Sequence, residues 1–262
     1  MALPDVAGGY WLLQASDTGG QVWNNSTLVF TSVASNPDQT YAVSARIDWF
    51  EDAGTFGMLL GGEETDEGSY DPISHTLLFD QTGGWASETL DHYQATYDPG
   101  SDALIDGFWD TGNPGTISGM RRLSGILLEP PQAQATSQQS GQVAANMVDG
   151  DMFTYWSSAN NATTGQIITL TLAAPSRLRG LRILSVLSGN AAAPAQLSVS
   201  SRDAGGAEVD VSSVAVPNDV MWKPVELVVD ELVSELQIEV TALEPAGGNR
   251  IVISGLEVFG LP

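Results

Sequence analysis

Short runs of alternating apolar and polar residues fill this chain. Leu236, Ile238 and Val240 alternate with Gln237 and Glu239, a period of two that buries one face of a strand and wets the other. In the first half the same reading predicts strands near Tyr10–Gln14, Ser26–Val33, Thr40–Phe50, Phe56–Glu63, Tyr70–Phe79, Ala86–Tyr97, Ala103–Asp110 and Thr116–Arg122. Turn clusters such as Asp-Thr-Gly-Gly, Asn-Pro-Asp, Asp-Pro-Gly and Gly-Asn-Pro-Gly separate them. Sequential strands with short connections predict an up-and-down antiparallel barrel, which leaves no sheet edge exposed. In the second half, strands are predicted at Gln166–Leu172, Leu178–Ser185, Gln196–Ser201, Glu208–Val214, Lys223–Val229, Ser234–Thr241 and Ile251–Phe259, as in a two-sheet sandwich. Between the halves, Leu127–Gly141 carries a Pro pair, Pro130 and Pro131, and continues in Gln, Ser and Ala without apolar period, a linker composition. The expected organisation is all-β: a barrel over 1–126, a linker over 127–139 and a sandwich over 140–262.

Composition agrees with strands rather than helices. Charged residues make up only 16% of the chain, against 42% hydrophobic, with 28 Gly and 13 Pro for turns. The net charge is -23, and both halves are acidic. Such a surface repels phosphate backbones and anionic headgroups, so no nucleic-acid partner is expected. It suits solubility and divalent cations. With no cysteine, disulfides and thiolate metal sites are excluded. No run of about 18 apolar residues is present, so no helix spans a membrane and no membrane insertion is expected. Met1–Tyr10 lacks the charged and apolar regions of a signal peptide. The expected location is a cell or virion surface reached by assembly or non-classical export, or otherwise the cytoplasm.

The second half carries a specific series of motifs. Ala144 to Trp156 reads AANMVDGDMFTYW; Gln166 to Leu172 reads QIITLTL; and Ile251 to Gly260 reads IVISGLEVFG. In this order they resemble the discoidin family, also called the coagulation-factor type C domain, and the related family-32 carbohydrate-binding modules. Ile167 departs from the family pattern, which has Trp there. The resemblance covers about Ser140 to Leu261. It implies a jelly-roll sandwich that binds sugars, glycoproteins or lipid headgroups through loops at one end and performs no chemistry. It also implies a structural Ca²⁺ held by Asp149, Asp151, Thr154 and Glu257, with carbonyls near Asn146 and Leu256. By its own chemistry, Asp149-Gly150-Asp151 is a tight turn bearing two carboxylates, and hard cations take such oxygens. A turn capped by its own hydrogen bonds, with no metal, is the other reading.

Trp156, inside the fold-defining segment, is read as core. Ligand contacts are expected from loops 157–165, 188–194, 216–222 and 244–250. Trp222, Asn160, Asn161, Asn190, Asn249 and Arg250 have the stacking and hydrogen-bonding chemistry that sugars require.

In the first half, Gly9-Tyr10-Trp11 matches the G-x-W that opens lipocalin-like and avidin-like barrels. This resemblance, one of architecture only, implies that Trp11 closes the barrel floor beneath Arg121 or Arg122. Trp23, Trp49, Trp85 and Trp109 are expected to line or plug the interior. The acidic run Glu63-Glu64-Thr65-Asp66-Glu67 reads as a solvated loop, with a cation site as the alternative.

No catalytic constellation emerges, and no enzyme is expected. The two histidines, His75 and His92, fall in predicted strands, without a G-x-S-x-G elbow or an H-x-x-x-H spacing. The leading expectation is a non-catalytic carbohydrate-binding adhesion protein whose partner is a glycan or glycoprotein. A second is a virion structural component, such as a phage head or tail protein, that attaches to other virion proteins through the barrel. A third is a small-ligand carrier using the barrel interior.

Overall fold

The computed structural model describes residues 8–50, 60–84, 90–110, 114–185, 189–217, 221–245 and 247–261. It divides into two compact units, Met1–Leu127 and Leu128–Pro262. Among the described residues every regular element is a strand, apart from one 3-10 turn.

In the first unit eight antiparallel strands close a barrel in sequence order. They are β1 (Tyr10–Asp17), β2 (Val22–Ser35), β3 (Tyr41–Phe50), β4 (Leu60–Asp71), β5 (Thr76–Gly84), β6 (His92–Asp98), β7 (Ala103–Trp109) and β8 (Gly115–Leu123). Closure comes from β1 against β8, with Leu12 opposite Met120. The two-residue β9 (Ile126–Leu127) follows. Alternate residues point inward and form one core, with Trp11, Leu13, Leu28, Phe30, Ile47, Leu77 and Phe79 all buried. The cavity among Leu28, Ile47, Phe79, Ala95 and Leu104 is about 20 Å³, room for a single water, so side chains fill this part of the barrel.

The floor matches the G-x-W expectation. Arg121 Cζ stands 5.4 Å from the Trp11 ring and 5.9 Å from that of Tyr97. Asp102 holds this guanidinium through Nε at 3.0 Å and Nη2 at 2.6 Å.

Two readings of this half are corrected. The acidic run is not a loop: it lies in β4, where Glu64 and Asp66 point inward and are buried while Thr65 and Glu67 face solvent. Carboxylates at inward positions hid the alternation. The strand expected over Tyr70–Phe79 is broken by a turn at 72–75. Asp71 caps it, accepting from the Ile73 amide at 2.9 Å and the Ser74 hydroxyl at 2.8 Å. His75 accordingly sits in that turn, in the left-handed region (φ 56°). Trp85 and much of the strands expected near Phe56 and Ala86 lie outside the described residues.

The second unit begins with β10 (Gln132–Ala135), then the 3-10 turn η1 (Ala144–Met147), β11 (Trp156–Ser157), β12 (Gln166–Leu184), β13 (Ala191–Arg202), β14 (Glu208–Ala215), β15 (Lys223–Glu244), β16 (Arg250–Ile253) and β17 (Gly255–Leu261). Six strands run in the order β11-β16-β13-β15-β12-β17, with β10 on β12 and β14 on β13. The sandwich reading expected seven strands; instead, two pairs merge. Gln166–Leu172 and Leu178–Ser185 become the one long β12, which shifts register between Thr171 and Gly180. Lys223–Val229 and Ser234–Thr241 become β15. Long strands that bend at bulges pass from one sheet to the other, as in a jelly roll. Between the layers lie Met147, Trp156, Ile168, Leu170, Leu181, Leu236, Ile238 and Ile253.

The linker is also corrected. Gln132–Ala135 pairs with β12, from Gln132 opposite Thr171 to Ala135 opposite Ile168. Ala133 and Ala135 pack on the core while Gln132 and Gln134 face water. Small alanines gave the strand too weak an apolar signal to stand out from a linker.

Candidate functional site

The loops at one end of the second unit are tied together by backbone hydrogen bonds. The Asn161 amide donates to the Asn249 carbonyl at 2.7 Å, and the Asn249 amide donates to the Asn190 carbonyl at 2.9 Å. Local chemistry explains each loop. Buried Ser158 anchors the first: its hydroxyl donates to the Ala162 carbonyl at 2.6 Å and accepts the Ile251 amide at 2.8 Å. Asn161 then takes a left-handed conformation (φ 64°), which Asn tolerates. The loop before β16 is pinned at Gly248, where an added Cβ would stand 2.4 Å from that of Ala192. The parallel pairing of Ala191 with Arg250 brings the third loop alongside.

This geometry gathers Asn161, Asn190, Asn249 and Arg250. Asn160, Asn161 and Asn190 are exposed, and Asn249 and Arg250 are half-buried. Arg250 Nε is buried and meets no acceptor among the described residues. Gln139 joins from the segment first read as linker, donating through Nε2 to Asn160 Oδ1 at 2.8 Å. A composition-based reading had no way to find it. Amides that both donate and accept, beside a guanidinium with a spare N–H, match the mixed donor and acceptor pattern of vicinal hydroxyls.

Trp222 is corrected as a stacking platform. Its side chain is only 2% exposed and packs against the Arg182 guanidinium, 4.0 Å from Cζ to the ring centroid. A ring with both faces enclosed cannot receive a sugar. Residues 218–220, within the same expected loop, lie outside the described residues, as do residues 186–188 and residue 246 near the other two.

The Asp149-Gly150-Asp151 turn is compact. The Asp151 amide donates to Asp149 Oδ1 and the Phe153 amide to Asp151 Oδ1, both at 2.9 Å. Thr154 Oγ1 draws three further oxygens around itself: Asp149 Oδ2 at 2.8 Å, the Asp151 carbonyl at 3.1 Å and the Asn146 carbonyl at 3.2 Å. An all-oxygen set of this kind is the chemistry of a hard cation. Glu257 is a different matter. It lies on β17 opposite Arg182 of β12, and its Oε2 accepts from Arg182 Nε at 2.7 Å. Its expected place among the metal ligands is therefore corrected, because a fully buried guanidinium already neutralises it. Among the described residues, no three His, Asp or Glu side chains gather in a metal-holding group. The same turn presents Phe153, 76% exposed, an apolar tip not singled out from the sequence. Trp156 is fully buried, as read, and donates Nε1 to the Ser137 carbonyl at 3.0 Å.

Residues 132–253 match the F5/8 type C domain. Among solved structures, the chain is similar to the family 32 CBM from C. perfringens NanJ in complex with galactose, at 19% identity over 51% of this chain and 97% of that one, with a TM-score of 0.43. It is similar also to CBM32-3 from a family 31 glycoside hydrolase of Clostridium perfringens, at 18% identity over 51% and 94%, with a TM-score of 0.43. A third is the lectin domain of lectinolysin complexed with Lewis B antigen, at 14% identity over 50% and 94%, with a TM-score of 0.41. No curated protein matches the chain.

Proposed function

We propose, from the F5/8 type C domain at residues 132–253, that this chain is a non-catalytic glycan-binding protein that reads its ligand at the Asn161–Asn190–Asn249 loop end. The observation that supports it most is the backbone chain joining those three asparagines beside a half-buried arginine whose Nε has no acceptor among the described residues. Exposed Asn160 and Asn161 offer amides to hydroxyls, and Arg250 offers a charge-assisted donor. Such a surface is shallow. It buries little area, so each site binds weakly and attachment relies on several copies acting together. Adhesion to a glycan-bearing surface or glycoprotein is the role this assigns.

The Asp149–Asp151 turn, with Thr154 and the Asn146 carbonyl, holds Ca²⁺ in a structural role in this proposal, without Glu257. When bound, the ion supplies positive charge to the turn.

The test is a glycan array probed with the whole chain, with and without EDTA, beside Arg250→Ala and Asn161→Ala. Selective binding that falls at least tenfold in both variants, with their folds intact by circular dichroism, supports the site. Absence of binding to any glycan, or undiminished binding in both variants, overturns it.

A further inference from the structure

In an up-and-down barrel, the ends of odd strands and the starts of even strands share one rim. Here that rim collects Trp49 near the end of β3, Trp109 at the end of β7, Trp23 near the start of β2 and Tyr93 near the start of β6. Their rings touch: Trp23, Trp49 and Trp109 lie 5.8 to 6.1 Å apart, and Tyr93 lies 6.3 Å from both Trp49 and Trp109. Beside this aromatic wall, β4 directs Glu64 and Asp66 inward, 2% and 1% exposed. Asp66 stands opposite Ala45 on one side and Gln81 on the other, both buried.

These carboxyls are under-satisfied. Tyr93 and Trp49 hydrogen-bond to Glu64, yet among the described residues its Oε1 has no partner. Among the same residues neither oxygen of Asp66 has one. The other charged groups acting here are Asp91, which accepts the Tyr93 hydroxyl at 3.3 Å, and Asp80; both are acidic. Three bare, buried carboxylate oxygens among acids are costly unless something supplies donors or positive charge. Among the described residues no third ligand joins them to form a metal-holding group. The aromatic faces point elsewhere: ring quadrupoles attract organic cations, and an ammonium supplies the missing N–H donors.

We propose that this rim of the barrel binds an organic ammonium ion, with its N–H groups on Glu64 and Asp66 and its carbon skeleton against Trp49 and Trp109. The site is separate from the glycan reading and independent of it. Burial, with the charge of Asp91 acting on Glu64 and those of Glu64, Asp91 and Asp80 acting on Asp66, pushes both carboxyls above the ordinary carboxylate range. An ammonium therefore competes with protons and binds more tightly as pH rises.

The test titrates the whole chain with 2-phenylethylammonium chloride, following tryptophan fluorescence and calorimetry at pH 8.5 and pH 5.5. The neutral analogue 2-phenylethanol and CaCl₂ serve as controls. A saturable response to the ammonium, at least tenfold weaker for 2-phenylethanol, at pH 5.5 and in Asp66→Asn, is expected. Glu64→Gln stands in should Asp66→Asn fail to fold. No saturable ammonium response, an equal response to 2-phenylethanol, or binding of Ca²⁺ alone overturns the proposal. So does a titration in which the pair takes up protons and nothing else.

Discussion

The guanidinium of Arg182 lies 4.0 Å from the centre of the Trp222 ring, and the same cation receives Glu257 across the β12–β17 pair. The three side chains convert what would be a buried charge into a packed and neutralised layer next to Phe259. A buried pair of this kind adds little net stability over an apolar substitute, but breaking one side leaves the other charge stranded.

Glu257→Gln is accordingly expected to destabilise the second unit by about 3–5 kcal/mol, because Arg182 stays buried without its counter-charge. Trp222→Ala is expected to cost a comparable amount, about 3–5 kcal/mol, through the cavity it opens. Urea unfolding followed by far-ultraviolet circular dichroism checks both. A loss under 1 kcal/mol in either would show that the layer does not carry the fold.

At the barrel floor, Arg121 is bound twice to Asp102 and stacked on Trp11. Arg121→Met keeps the length and apolar stem but removes the charge. About 2 kcal/mol of barrel stability should be lost, the sum of a cation–π contact and charge-assisted bonds to a partly exposed acid. Arg121→Lys should recover only part of it, since an ammonium lacks the planar fork. Thermal melts of the two variants beside wild type decide the point.

Much of this was legible because the signals were local. Period-two alternation located most strands, and G-x-W with a late arginine pointed to Trp11 beneath Arg121 or Arg122, of which Arg121 stands over the ring. The Asn loops were legible by residue type, although their convergence depends on Gly248 packing against Ala192, which no pattern shows. Two of the failures share one cause: residues whose chemistry suggests water were folded inward. Glu64 and Asp66 disguised β4, and Arg182 concealed that Trp222 and Glu257 were already engaged. Tertiary partners overrode local polarity in both. β10 was hidden differently, by inward residues, Ala133 and Ala135, too small to give an apolar signal.

Calcium offers a test of the Asp149 turn. Thr154 Oγ1 collects Asp149 Oδ2 and two carbonyls, so an ion entering there replaces hydrogen bonds with coordination. Saturating Ca²⁺ should raise the melting temperature of the second unit, by RT ln(1 + [L]/Kd) in free energy, or about 2.7 kcal/mol at a hundredfold excess over Kd. EDTA should reverse the gain and Asp149→Asn should abolish it. Equal melting with Ca²⁺ and with EDTA would leave the turn capped by its own hydrogen bonds alone.

The barrel should respond to pH in the direction opposite to that of a salt-bridged acid. Burial raises the carboxyls of Glu64 and Asp66 above their unfolded values. In the folded state each then keeps its proton where the unfolded chain has lost it. Unfolding releases protons in that range, so stability falls as pH rises. The contribution is fully present below the ordinary carboxylate range near pH 4 and is lost through neutrality, at about 1.4 kcal/mol per pH unit for each group. Urea unfolding monitored by tryptophan fluorescence from pH 4.5 to 8.5 should show this decline. The Glu64→Gln, Asp66→Asn double variant should flatten it, because uncharged amides of the same shape have no proton to lose. An ammonium ligand should restore wild-type stability at the alkaline end, where the carboxylates are free to receive it. Stability that instead climbs with pH would mean that both acids are ionised and paired in the fold, and that the rim has no unmet charge.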